Sequence, residues 1–164
     1  MLAVSIKDIK QFMREMFVGE LFDNFLLVKA NINHDINYEI DGHLNSDFFD
    51  SEEKENMLKD SYKQWSQLKS LITTMIKGNK LPLNFNIVLT TSKKSLEILF
   101  NSSSHDFTID QVEGLFINII YKNEELLITS GSSYSVFSMD KSLDNAFENA
   151  IKRLLASKSI DFEE

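Results

Sequence analysis

The sequence predicts an α+β domain: an antiparallel or mixed sheet of short strands packed against a long central helix, an N-terminal helix and a C-terminal helix. Two patterns predict it. Short runs alternate apolar and polar residues, as at Ile36, Tyr38, Ile40 and at Phe85, Ile87, Leu89, the period of a half-buried strand. Between them lie stretches whose apolar residues recur at three- and four-residue steps, the period of an amphipathic helix. The chain's 164 residues are 43% hydrophobic and include 13 Phe. That suits one domain over 1–164 with a core able to fold unaided.

Leu2 to Ser5 opens the chain as a strand, and Ser5 with Asp8 starts a helix. Ile6, Ile9, Phe12, Met13, Met16 and Phe17 form its apolar stripe, and Gly19 ends it. Phe25 to Ile32 and Ile36 to Ile40 make a hairpin around Asn33-His34-Asp35. Asp41-Gly42 closes it with a turn.

Asp50 to Gly78 is the longest helix the sequence offers. Asp50 and Glu53 form a capping box, and Glu52, Glu53 and Glu55 suit the positive end of the helix dipole. Leu58, Tyr62, Trp65, Leu68, Leu71, Ile72, Met75 and Ile76 form the stripe. Unbroken, the helix spans about 40 Å; Asp60-Ser61, which compete for their own backbone, mark where it can break.

Asn79 to Pro82 is a loop, and Phe85 to Leu89 a strand. Ser92 caps a short helix burying Leu96, Leu99 and Phe100, and the serine-rich stretch Asn101 to Asp106 is expected to be a flexible loop. Leu115 to Tyr121 and Leu126 to Ser130 are strands joined at Lys122 to Glu125. A further strand, Tyr134 to Met139, is expected after a turn at Gly131. The closing helix, capped at Ser142, has the stripe Leu143, Ala146, Phe147, Ala150, Ile151, Leu154, Leu155; residues 159–164 are expected to fray. Strand, helix and hairpin occur both before and after the long helix, an order like that of sliding-clamp half-domains.

The net charge of −8 disfavours nonspecific binding to nucleic acid or anionic membrane. A nucleic-acid surface would need Lys7, Lys10 and Arg14 to join Lys93 and Lys94 on one face. With no Cys there is no disulfide and no thiolate chemistry. No signal peptide or membrane span is legible, and the expected setting is the cytoplasm.

Chemistry has one candidate seat, the turn-rich stretch carrying Asp41, His43, Asn45, Asp47 and Asp50. Eight carboxylates lie between Glu39 and Asp60 against Lys54 and Lys59 alone. An imidazole among carboxylates can hold a divalent metal, but Gly42 is misplaced for a known calcium loop. The plainer reading makes Asp50 a helix cap and Asp41-Gly42 a turn. Neither Ser102 to Ser104 nor Gly131-Ser132-Ser133 is a nucleophile elbow, and His34-Asp35 and His105-Asp106 are sequence neighbours rather than dyads. Tyr62, Trp65 and Met75, on the long helix, are the candidate interface residues.

Gly19-Glu-Leu-Phe-Asp-Asn-Phe-Leu-Leu-Val, Asp41-Gly-His-Leu-Asn, Asp47-Phe-Phe-Asp-Ser-Glu-Glu, Gly114-Leu-Phe-Ile-Asn-Ile and Asp140-Lys-Ser-Leu give the chain a resemblance over most of its length. It resembles a family of small bacterial proteins, mainly from Gram-positive anaerobes, known only as a domain of unknown function. The resemblance implies a bacterial, cytoplasmic origin and brings no activity, cofactor or catalytic residue. From the missing catalytic motifs, the acidic surface and the long amphipathic helix, the sequence predicts a non-catalytic binding domain without cofactor, whose partner is an unidentified protein or a second copy. The alternatives are a metal-binding protein or metal-assisted hydrolase built on the Asp41–Asp50 segment and, more weakly, a clamp-like nucleic-acid accessory.

Overall fold

The computed structural model describes residues 1–57, 60–78 and 80–164. Leu58 and Asn79, which the sequence puts on the helix stripe and in a loop, lie outside them. The elements in order are β1 (Ala3–Ile6), α1 (Ile9–Phe17), β2 (Phe25–Asn33), β3 (Asn37–Asp41), α2 (Ser51–Met57), α3 (Trp65–Ile76), β4 (Asn84–Thr91), α4 (Lys93–Phe100), β5 (Val112–Lys122), β6 (Glu125–Tyr134), α5 (Ser142–Ser157) and β7 (Phe162–Glu163). Seven strands form one antiparallel sheet in the order β3-β2-β4-β5-β6-β1-β7.

The alternation read from the sequence decides which side of the sheet is covered. Ala30, Ile32, Phe85, Ile87, Leu89, Ile117, Ile119, Ile128 and Val4 share one core with Phe12 and Met16 of α1, Trp65 and Ile72 of α3, and Phe147 and Ile151 of α5. Leu96, Leu99 and Phe100 of α4 pack against the same core. Val88 alternates to the other face, beside Lys29 and Asn118 in the register. The sheet thus has one helix-covered face.

Local chemistry sets most of the ends. The Asp8 carboxylate caps α1 by accepting from the Gln11 N–H at 3.0 Å. Ser92 caps α4 through the Ser95 N–H. The β5–β6 hairpin turns on Asn123 and Glu124, both in the left-handed region (φ 53° and 61°), the geometry a two-residue hairpin demands.

The predicted long helix is two helices. Between them, Ser61 to Gln64 is extended and wedged where the chain beyond β3 leaves β2. Leu44 N–H donates to Ser61 O (2.9 Å), Lys63 N–H to Gly42 O (2.9 Å) and Leu27 N–H to Lys63 O (2.8 Å). Backbone groups that a helix would have paired internally are paired across the sheet instead, so local periodicity yields to a nonlocal ladder.

Two other expectations are corrected. Tyr134–Met139 is not a separate strand: β6 runs through Gly131, which stays paired with Phe116, because a ladder holds a glycine that local chemistry would turn. The C-terminus does not fray: Ser159 adopts φ 55°, Ile160 is buried, and Phe162–Glu163 pairs with Ser5–Ile6. Strand, helix and hairpin do recur in order, as β1-α1-β2-β3 and β4-α4-β5-β6, although β4 lies beside its hairpin strand β5 whereas β1 lies between β6 and β7, away from β2. Among the described residues, no helix is long and apolar enough to cross a membrane.

Candidate functional site

Where β3 ends, the chain must pass very close to β2. A Cβ on Gly42 would stand 1.8 Å from the Leu27 carbonyl oxygen, so only glycine fits this approach. The close pass puts Asp41 and His43 on either side of it. One Asp41 carboxylate oxygen accepts from the His43 backbone N–H at 3.0 Å and lies 2.8 Å from the ring Nδ1. The His43 amide and then its ring hold the Asp41 carboxyl below the usual carboxylate range. The ring also leans on Tyr62, with centroids 4.4 Å apart. The imidazole is thereby oriented by a carboxylate on one side and an aromatic face on another.

A cleft of about 210 Å³ opens beside this pair, lined by Ile40, His43, Asn45, Phe48, Phe49 and Leu68 among others. The short turn Ser46–Phe48 and the following Phe49 form one wall, with the two phenyl rings edge to face at 5.2 Å. Phe48 is 82% exposed. Lys63 and, from α3, Leu68 complete the lining.

Of the five candidate residues, Asp41, His43 and Asn45 come together at this cleft. Asp47 and Asp50 do not line it. Asp50 is a helix cap: its carboxylate accepts from the Glu53 N–H at 2.8 Å, while the Glu53 carboxylate accepts from the Asp50 N–H at 2.9 Å. Among the described residues, no three His, Cys, Asp or Glu side chains gather to hold a metal ion. Asp50 bonds the start of α2 and Asp47 lies outside the cleft's lining, so the five candidates do not form one cluster.

The interface candidates also separate. Tyr62 is half-buried against His43, off any helix. Trp65 is fully buried, and its indole N–H donates to the Met16 carbonyl at 3.1 Å, so it packs its own core and is closed to a partner. Met75 is half-buried on α3. With Leu68 and Leu71 it follows the three- and four-residue steps of one flank, of which Leu71 is 52% exposed.

A second cluster, which sequence reasoning missed, lies around His105. Its side chain is 1% exposed, inside a segment expected to be flexible. The ring is flanked by Phe100 and Phe107, with centroids at 4.4 and 5.2 Å. Nε2 lies 2.9 Å from the Phe100 carbonyl and Nδ1 2.6 Å from the Ser142 hydroxyl. Asp140 accepts from the backbone N–H groups of Asp106 and Ser142, and the hydroxyl and amide of Ser142, then the Asp106 amide, hold its carboxyl low. Nearby, the Tyr134 hydroxyl donates to Asp144 at 2.6 Å. Burial first, then that bond, pushes the phenol above its ordinary value. Burial pushes the Asp144 carboxyl up, but bonds from Tyr134, Ser132 and Lys141 outweigh it and leave it lowered. These groups tie the 101–106 loop to the start of α5. The flanking Phe100 and Phe107 were the only hint of burial in the sequence.

No curated protein and no solved structure matches the chain. A family model does match, over residues 15–163, and its description is a family of unknown function (DUF5721). The match spans the hairpin, the His43 cleft, both halves of the divided helix and α5, and on that extent the chain belongs to this family of unknown function.

Proposed function

We propose that the protein works by docking a protein partner at the cleft beside His43, and not by making or breaking bonds. The observation that carries this reading is Phe48, a phenyl ring 82% exposed at the lip of an aromatic-walled cleft. Burying such a side chain gains roughly 1.5–3 kcal/mol, so a partner that covers it gains affinity. Exposed apolar surface rimmed by polar groups marks interaction sites. The Asp41–His43 pair fits the role of a polar anchor on the rim. The setting we propose is the bacterial cytoplasm, on the strength of the family resemblance.

The test places a photo-crosslinking phenylalanine analogue at position 48 and, as a control, at the exposed Ile98. In an extract of the source cells, position 48 is expected to give a discrete protein adduct that position 98 does not. Equal labelling from both positions, or none from 48, would overturn the reading.

A further inference from the structure

We infer that two copies of this chain meet through the open face of the sheet, a contact separate from the His43 cleft. The helices of the core cover one side of the sheet, and strand alternation sends every second side chain to the other. Val88, Asn118, Thr129 and Ala3 stand in one row across β4, β5, β6 and β1. Asn86, Ile120, Leu127 and Ser5 form the next row. Neither row holds a charge, in a chain of which 26% is charged. A sheet face left to water is polar, whereas Val88, Ile120 and Leu127 are apolar. Val88 is buried yet lies outside the helix-side core. Phe116 belongs to the same face. Its ring folds down over Gly114, where a Cβ would stand 2.5 Å from it, so the face stays level.

Charge and area name the occupant. Two copies related by a two-fold axis set each central residue against its own twin or a near neighbour, so any charge there meets its like. An uncharged centre is what such a contact requires, and it lets a chain of net charge −8 approach itself. A foreign partner carries no such constraint, since opposite charge would draw it to an acidic surface. Charges return toward the rim with both signs, as at Lys29 and Lys122 against Glu39 and Glu125. Such a rim can pair across a two-fold. At about 4.8 Å between strands and about 3.4 Å per residue, the seven strands present a face of roughly 800 Å². Each partner in a standard interface contributes about that area.

The experiment measures the mass of the whole chain by light scattering at about 100 μM, where an association of micromolar Kd is largely complete. Twice the mass of one chain is expected. It should persist in about 1 M salt, which screens charge contacts and leaves apolar ones. Thr129→Lys places like charges near the axis and should weaken the dimer at least about tenfold. Leu127→Lys, at an exposed site in the neighbouring row, should do the same. Phe48→Ser, at the cleft, should leave the mass unchanged. The parent's melting temperature should rise with protein concentration, and that of both lysine variants should not.

A single-chain mass at that concentration would overturn the inference. So would a dimer that both lysine variants keep, or one that high salt dissolves. A dimer lost in Phe48→Ser but kept in the lysine variants would move the contact to the cleft and overturn it as well. Should Thr129→Lys not fold, Leu127→Lys decides alone. Crosslinking from position 48 tests the docking reading separately, so either can fail without the other.

Discussion

His105 Nδ1 stands 2.6 Å from the hydroxyl of Ser142, thirty-seven residues further along the chain. A carbonyl can only accept, so Nε2 carries the proton that reaches Phe100 O at 2.9 Å. Nδ1 lies against the Ser142 hydroxyl, which also reaches the Ser104 carbonyl at 3.2 Å. Each nitrogen has a specific partner, and the ring fastens a serine-rich loop to the helix that follows β6.

Removing that ring should be costly. His105→Ala leaves the Phe100 carbonyl without its partner and opens a void between Phe100 and Phe107. An orphaned buried polar group costs about 1–3 kcal/mol, so the expected loss is at least about 2 kcal/mol in urea unfolding. Amide hydrogen exchange should rise first across residues 101–106.

Gly42→Ala should destabilise more than a routine surface change, because the new Cβ would sit 1.8 Å from a backbone oxygen that cannot swing away. A loss of about 3 kcal/mol or more is expected. Gly131→Ala is the control. Nothing lies within 4 Å of its added Cβ, and in a strand interior it should be neutral or gain up to about 0.5–1 kcal/mol.

Trp65 is the only tryptophan and is fully buried. Its fluorescence should be blue-shifted in the folded protein and move to the red on unfolding. Trp65→Phe keeps an aromatic ring but strands the Met16 carbonyl; about 1–3 kcal/mol should be lost. Phe48→Ser, by contrast, should stay within about 0.5 kcal/mol of the parent, as exposed positions do.

Stability should fall with acidity. The Asp140 carboxyl is lowered by its bonds from Ser142 and Asp106, and that of Asp41 by its bonds from His43. A folded-state value below the unfolded one favours folding above the ordinary carboxylate range, and the benefit is lost as pH drops through the folded value. Thermal melts should therefore be flat from pH 6 to 7 and decline below about pH 4. Asp140→Asn should lower the plateau and shallow the decline, a difference read by melting at two pH values.

The sequence alone determined several features that act over one or two turns of chain. Asp50 with Glu53, Ser92 with Ser95, the Lys122–Glu125 turn and the alternation of Ile87, Leu89, Ile117 and Ile119 are all fixed by neighbours in the chain. Their chemistry needs no distant partner. The cleft was half legible: Asp41, His43 and Asn45 do meet, but the same pattern also enrolled Asp47 and Asp50, because spacing alone does not say which way a turn points its side chains. Tertiary structure decided the rest. Tyr62 and Trp65 share a helical stripe on paper, yet the 61–64 segment gives up its helical bonds for partners at Gly42, Leu44 and Leu27. That sends Tyr62 to His43 and Trp65 into the core. His105 became buried for the same reason: Ser142, thirty-seven residues on, closes over a ring already flanked by Phe100 and Phe107. Hydrogen-bond partners so far apart in sequence leave no local periodicity to read, and only the folded chain assigns them.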